Sequence, residues 1–321
     1  MSDVENLNGK YVCPACLCGD FKNLPTPSEE YKLMFQCAKC KRLYPMDKYG
    51  IIDFQAFDQI LEIPDPYLSL WALAQNASLE EYKQLSPASI STKEREIVIA
   101  FKEFMDLDRE AKVLDIGSGT DYLPGYIFHA NLENYTALDP LPVYKPVEFK
   151  KVKAWAEQMP FADCYFDVAI LATSLDHILC LRSFFSELNR VLKPGASVYL
   201  WGAWYFNDTV LTNFNDKALI ARFPDKLIRD FQDDIFVEYE KNKAQIDDLI
   251  NNDIKDKYLP LMKDRYHFRH IPLNFFKILP QQYAFNQEAF YIWDININNY
   301  INGFIKLRKN TQSQCNDFSI S

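Results

Sequence analysis

The 321-residue chain carries 35 Lys and Arg against 44 Asp and Glu, a net charge of −9, and 48% of its residues are apolar. With 19 Tyr and 24 Phe it is no disordered chain, and its length suits about two domains. The acidic balance weighs against a protein whose main partner is nucleic acid, because such proteins leave a basic footprint.

Residues 1–8 read as a loose start. From 9 to 57 the landmarks are Cys13-Pro14-Ala15-Cys16 and Cys37-Ala38-Lys39-Cys40, two C-x2-C turns with twenty residues between them. Each turn aims two thiolates at one point, and the spacing reads as a tetrahedral structural zinc site made by Cys13, Cys16, Cys37 and Cys40. Two disulfides are the rival reading. No secretory leader and no twenty-residue apolar span is evident, so a reducing, cytoplasmic setting without a membrane span is expected. Cys18 leaves the register ambiguous. Cys164, Cys180 and Cys315 read as buried or incidental thiols. Together with Cys40-Lys41-Arg42-Leu43-Tyr44-Pro45 and Tyr49-Gly50-Ile51-Ile52-Asp53-Phe54, the segment resembles two zinc ribbons: that of the small activator of tRNA and rRNA methyltransferases, and that of the rRNA guanine-N1 methyltransferases. In those enzymes the ribbon helps dock the substrate. The same ribbon is also fused to bacterial enzymes thought to act on small molecules and surface sugars.

Residues 58–110 read as a helical connector broken at Pro64, Pro66 and Pro87. Its last helix, Lys93 to Met105, places Ile97, Ala100, Phe101 and Phe104 at helical spacing. Residues 111–205 alternate strands and helices, which predicts a parallel sheet with strands at 112–116, 134–139, 149–153, 167–172 and 196–201. A helix is expected from Leu181 to Lys193, stopped by Pro194-Gly195.

The first of these strands runs into Asp115-Ile116-Gly117-Ser118-Gly119. Glycines there let the backbone come close to a ligand. Twenty residues on, the second strand ends at Asp139-Pro140, where an acid can accept two hydrogen bonds from a ribose diol. The third glycine of a dinucleotide fingerprint would fall at Tyr122, and no Gly-Lys-Ser/Thr phosphate loop is present. Asp115 disfavours a phosphate and suits an amino group. S-adenosylmethionine has a ribose, an α-amino group and no phosphate.

These residues resemble the class I S-adenosylmethionine-dependent methyltransferases, of the type 11 kind. Three further stretches carry the likeness. Ala156-Glu157-Gln158-Met159-Pro160-Phe161-Ala162-Asp163-Cys164-Tyr165-Phe166-Asp167 is similar to the segment beside the adenine. Val191 to Gly195 is similar to the R-V-L-K-P-G-G turn, with Ala196 in place of its second glycine. Thr173-Ser174-Leu175-Asp176-His177 follows the fourth strand and is similar to runs in sugar and natural-product methyltransferases. The likeness covers roughly residues 85–205. It implies a Rossmann-like α/β fold, with a mostly parallel seven-stranded sheet flanked by helices, and a cofactor set of Asp115, Gly117, Ser118, Gly119, Asp139, Pro140, Ala156, Glu157 and Thr173. The chain departs from the pattern at Asp121, where a third small residue is common, and at Trp155, where an adenine-binding Asp is common.

Residues 206–265 read as an amphipathic helical insertion over the cleft: padding, a substrate lid or a homodimer contact. Residues 266–308 are expected to return to the sheet, and Lys309 to Ser321 to form a polar tail. His177 is the candidate base, with Asp176 orienting or replacing it, and His270 is the second base candidate.

Three functions compete. The leading one is methyl transfer to a small molecule, a hydroxyl of a sugar or glycoconjugate. The second is rRNA or tRNA base methylation with RNA docked on the ribbon, although the Arg-rich connector of the rRNA enzymes is missing. The third is a catalytically silent scaffold, which the unbroken Asp115-x-Gly117-x-Gly119 turn opposes.

Overall fold

A computed structural model describes residues 7, 9–26, 29–55, 75, 79, 93–119, 121–127, 132–205, 271–277, 279–296 and 300–312. The expected insertion over 206–265, most of the connector and His270 lie outside the described residues.

Strands β1 (Phe21–Leu24), β2 (Tyr31–Cys37), β3 (Leu43–Asp47) and β4 (Ile52–Asp53) come first, followed by helix α1 (Glu96–Met105). Then follow β5 (Val113–Ile116), β6 (Tyr135–Asp139), β7 (Lys150–Lys153), β8 (Phe166–Ala172), helix α2 (Leu181–Val191) and β9 (Leu192–Tyr205). After the undescribed stretch come β10 (Ile271–Pro272), the short α3 (Leu279–Gln282), β11 (Phe285–Asn296) and β12 (Tyr300–Lys309).

The strands lie in the order β1-β2-β3-β4-β7-β6-β5-β8-β9-β12-β11, with β10 beside β9. From β7 to β9 every pairing is parallel, and β12 enters antiparallel between β9 and β11. These seven strands make the Rossmann-like sheet, because buried parallel strands need helices on both faces. The sheet does not stop at β7. Ile52 and Asp53 of β4 pair in parallel with Val152 and Lys153, so the ribbon strands continue it.

Alternation along β5 sorts the two layers. Leu114 and Ile116 face a core with Phe184, Phe185 and Leu188 of α2, while Val113 faces Val98, Phe101 and Met105 of α1. Helix α2 repeats apolar side chains at Leu181, Phe184, Phe185, Leu188 and Val191, all buried, and each contributes about 1.5–3 kcal/mol in removing its side chain from water. The ribbon shares the α2-side core through Phe35, Tyr44, Met46 and Phe54. Tyr11 stacks on Phe54, with ring centroids 5.7 Å apart, and meets Phe161 at 5.8 Å.

Two sequence expectations are corrected. Helix α2 ends at Val191 and not Lys193, because Leu192 is already extended and pairs with Phe166 at the start of β9. Lys193 instead reaches Asp167 at 2.6 Å. Lys309 does not begin a loose tail. It closes β12 with 1% exposure, and its ammonium donates to the carbonyls of Asn189 at 2.6 Å and Leu192 at 2.7 Å. A cation there satisfies the carbonyls that the end of α2 leaves open.

Candidate functional site

The carboxyl ends of β5, β6 and β8 open onto a cleft of about 680 Å³, counting its solvent-open mouth. Its walls include Ile116, Gly117, Gly119, Asp139, Pro140, Trp155, Ala156, Glu157, Thr173, Ser174, His177 and Gln75. This is where an open α/β sheet takes ligands.

The floor is the glycine turn. Gly117 and Gly119 have φ of +75° and +78°, a region open to glycine and costly to other residues. They do different jobs. A Cβ on Gly117 would stand 2.3 Å from the Ser174 Cβ, whereas one on Gly119 would meet nothing within 4 Å. Gly117 therefore admits the end of β8, and Gly119 leaves open space for a ligand. Ser174 completes the join by donating its hydroxyl to the Ile116 carbonyl at 2.6 Å.

Asp139 ties the second strand to this turn. Its Oδ2 accepts the Gly119 N–H at 2.7 Å and its Oδ1 the Leu141 N–H at 2.8 Å. Each oxygen keeps lone-pair capacity for a further donor. Lys151 of β7 lies under the same turn. It is 6% exposed, with its ammonium on the Gly119 carbonyl and 3.3 Å from the Ser118 hydroxyl. Burial holds the Lys151 pKa below its ordinary value, against the pull of Asp139 and Asp115. Burial likewise raises the Asp139 pKa, opposed first by Lys151.

Asp115 does not line the cleft. On the alternating strand it faces away from Ile116, and it is fully buried. Its Oδ2 accepts hydroxyls from Tyr135 at 2.8 Å and Tyr126 at 3.0 Å, while Oδ1 has no hydrogen-bond partner. Desolvation raises its pKa to about 6, even though the tyrosine hydroxyls favour the carboxylate. A carboxyl whose folded pKa exceeds its unfolded value stabilises the fold fully below the unfolded pKa, and that contribution is lost as pH rises through the folded one. Asp115→Asn should therefore flatten the stability profile between about pH 4 and 6, so that the variant's stability relative to wild type is higher at pH 7.5 than at pH 4 by about 2–3 kcal/mol. Urea melts of both proteins at pH 4 and 7.5 check this, and equal differences at the two pH values would refute it.

Trp155, Ala156 and Glu157, just past the end of β7, form a further wall. Glu157 Oε1 accepts the Cys180 N–H at 3.0 Å, which ties this wall to the start of α2. Arg190 holds the following segment from below. Its guanidinium donates to the Met159 carbonyl at 2.8 Å and to Asp163 at 2.8 Å, and pairs with Glu187 at 2.7 Å.

The β8 end supplies the remaining side. Thr173 is held at φ +57°, a costly state for a β-branched residue, with its N–H on the Trp201 carbonyl at 2.7 Å. His177 closes the 3-10 turn Leu175–His177 and lines the cleft. Its Nδ1 is 3.2 Å from the Gln75 amide nitrogen, and its Nε2 is 3.9 Å from Asp176 Oδ2, beyond hydrogen-bond range.

Sequence reasoning missed Gln75, Lys151 and Ser174. Lys151 stands in the lysine-rich strand Lys150-Lys151-Val152-Lys153, so nothing local separates the buried lysine from its neighbours. Ser174 stands within a quoted motif. Nothing local marks Gln75.

Away from the cleft, the sulfurs of Cys13, Cys16, Cys37 and Cys40 lie within 4.8 Å of one another. Cys13–Cys40 and Cys16–Cys37 are each 3.5 Å apart. Four thiolates about 2.3 Å from a tetrahedral zinc stand about 3.8 Å apart, so this donor set fits zinc. The buried Tyr44 hydroxyl lies 3.0 Å from the Cys13 sulfur, a second contact of the kind that orients a ligand. Cys18 stands outside the cluster, near the Asp20 carbonyl. Cys180 is a free, partly buried thiol. Cys164 is not the free thiol expected: it is disulfide-bonded.

Residues 114–200 match the family model described as a methyltransferase domain. A demethylmenaquinone methyltransferase of Chlorobaculum parvum is 31% identical over 99 residues, covering 29% of this chain and 41% of that protein. The chain thus spans about two fifths of the length of this curated relative. Among solved structures, the chain is similar to the 1,6-didemethyltoxoflavin-N1-methyltransferase of Burkholderia thailandensis, determined with 1,6-didemethyltoxoflavin and S-adenosylhomocysteine bound. That likeness has 11% identity and a TM-score of 0.46, over 85% of this chain and 97% of the other. A second likeness is to an S-adenosylmethionine-dependent methyltransferase of Methanosarcina mazei, with 17% identity and a TM-score of 0.35, over 67% and 98%. The chain has a Rossmann-like α/β fold, and its residues 114–200 are similar to a methyltransferase domain.

Proposed function

We propose that this protein is an S-adenosylmethionine-dependent methyltransferase whose acceptor is a small molecule, a hydroxyl of a sugar or glycoconjugate. The observation that carries the reading is the Asp139 carboxylate bonded to the Gly119 N–H inside the cleft. The acid of the second strand and the glycine turn of the first thereby form one receptor for a nucleoside. The domain match and the acidic net charge support it.

In this reading the Asp139 carboxylate takes the ribose hydroxyls. Pro140, Trp155, Ala156 and Glu157 bound the adenine. Gly117, Ser118, Gly119 and Thr173 bound the methionine end, and the space over Gly119 is the cradle. Asp115 acts from behind the turn, through Tyr126 and Tyr135. The cofactor supplies a methyl group on a sulfonium, open to in-line displacement. What the chain supplies is mainly alignment of the two reactants, which accounts for much of the rate in such reactions. Asp176 and His177 stand at the acceptor end. The Cys13-Cys16-Cys37-Cys40 set holds a structural zinc that maintains the ribbon. Among the described residues no helix is long and apolar enough to cross a membrane.

An acceptor screen tests this. Zinc-loaded protein is incubated with methyl-labelled S-adenosylmethionine and, in turn, nucleotide sugars, glycoconjugate fragments and bulk RNA. Label on a sugar hydroxyl is the expected result. Label on RNA bases would replace the acceptor assignment, and label on nothing despite tight cofactor binding would favour a scaffold.

A further inference from the structure

Gln75 is 9% exposed, lines the cleft, and places its amide nitrogen 3.2 Å from His177 Nδ1. An amide and a neutral imidazole can pair in two ways. The amide N–H donates to a bare Nδ1 and the ring proton sits on Nε2, or the amide carbonyl accepts from Nδ1–H and Nε2 is left with its lone pair. The facing atom here is the amide nitrogen. On the other side of the ring the Asp176 carboxylate lies 3.9 Å from Nε2, a negative charge that favours a proton at that nitrogen. The His177 backbone is itself held, its N–H donating to the Ser174 carbonyl at 3.1 Å.

We propose that Gln75 is a positioning residue that keeps His177 in the Nε2–H form, so that the ring meets the acceptor as a hydrogen-bond donor and not as a base. This role differs from the general base that His177 suggests in isolation. The acceptor class it selects is one that brings an electron-rich oxygen, such as a hydroxyl, carbonyl or phenolate, against the ring. A hydroxyl acceptor then yields its proton to a carboxylate, and Asp176 is the one beside the ring. The acceptor's identity as a methyl acceptor rests on the methyltransferase reading. The tautomer does not.

The test is nitrogen-15 NMR of the imidazole rings in zinc-loaded, full-length protein at pH 8, with His177 identified by the signals lost in His177→Gln. The expected wild-type spectrum shows His177 Nε2 as the protonated, pyrrole-type nitrogen and Nδ1 as the pyridine type. Gln75→Leu should raise the minor tautomer severalfold, and Gln75→Glu should exchange the two signals, because a carboxylate can only accept from Nδ1–H. A wild-type spectrum with the lone pair on Nε2, or one left unchanged by Gln75→Leu, would overturn the proposal. If Gln75→Leu fails to fold, Gln75→Glu, which keeps the size of the side chain, supplies the comparison, and signals it leaves in place would overturn the proposal. Titration of the same sample with S-adenosylhomocysteine keeps the two readings apart. Absent binding with the expected tautomer defeats the methyltransferase reading alone, and tight binding with the opposite tautomer defeats this proposal alone.

Discussion

Gly117→Ala should destabilise the protein by about 2–5 kcal/mol and abolish cofactor binding. Two costs combine. At φ +75° an alanine carries the left-handed penalty of about 1–2 kcal/mol, and its methyl, 2.3 Å from the Ser174 Cβ, must force β5 and β8 apart at about 1–3 kcal/mol. Both neighbours are backbone-anchored, since Ser174 holds the Ile116 carbonyl, so no flexible side chain can swing away. Gly119→Ala separates the two costs. Its φ is similar but its Cβ would point into open space, so about 1–2 kcal/mol is the expected stability loss, while the methyl fills the cradle and still weakens the ligand. Denaturant melts of both variants check the ranking. Equal losses would mean that the Ser174 contact is not what requires glycine at 117. Gly117→Ala with Ser174→Gly should recover the steric part and leave the conformational part.

Loss of the proposed zinc from the Cys13-Cys16-Cys37-Cys40 set should reach the cleft. Cys37→Ser, or a strong chelator, removes one of four ligands or the metal itself, and small ribbons of this kind rarely hold a fold without it. Here the ribbon is not isolated. Its β4 pairs with β7, Lys153 meets Asp53 at 2.8 Å, and the Gln55 amide donates to the carbonyl of cleft residue Pro140 at 3.1 Å. Unfolding it uncovers the β7 edge and strips Phe54 and Tyr44 from the shared core. The expected result is about one zinc per chain in the wild type, none in Cys37→Ser, and a thermal midpoint lower by about 5–15 °C. Affinity for S-adenosylhomocysteine should fall with it, through the Pro140 wall. Hydrogen exchange would then show faster amides in β7 as well as in β1 to β4. Slow β7 amides after zinc removal would show that the ribbon leaves the sheet without consequence.

Much of this arrangement was legible beforehand. Strands β5, β6 and β8 are short, mostly apolar runs between turn residues, and parallel pairing buries both faces, so their positions could be read to within a residue. Gly117, Gly119 and Asp139 could be read because the turn and the strand end are local features. Asp115 shows the limit. Its type pointed to a ligand, but alternation with Ile116 puts it on the far face, where two tyrosines hold it. Lys309 was misread for the opposite reason: a lysine beside a polar tail looks solvated, and only the end of α2, more than a hundred residues away, makes it a buried cap. The same distance hid Gln75, whose partner His177 lies 102 positions on. The union of ribbon and sheet was equally invisible, since two residues of β4 carry the pairing and no sequence period marks them.

The most direct test is calorimetric titration of zinc-loaded protein with S-adenosylhomocysteine, beside Asp139→Ala. The wild type should bind at micromolar levels. The variant should lose about 1–3 kcal/mol, about five- to 150-fold in affinity, from the charged hydrogen bonds to the ribose. Asp139→Ala also frees the Gly119 and Leu141 N–H groups, which places the expectation toward the upper end of that range. Wild-type affinity in Asp139→Ala, or no binding by the wild type, would contradict a nucleoside site at Asp139.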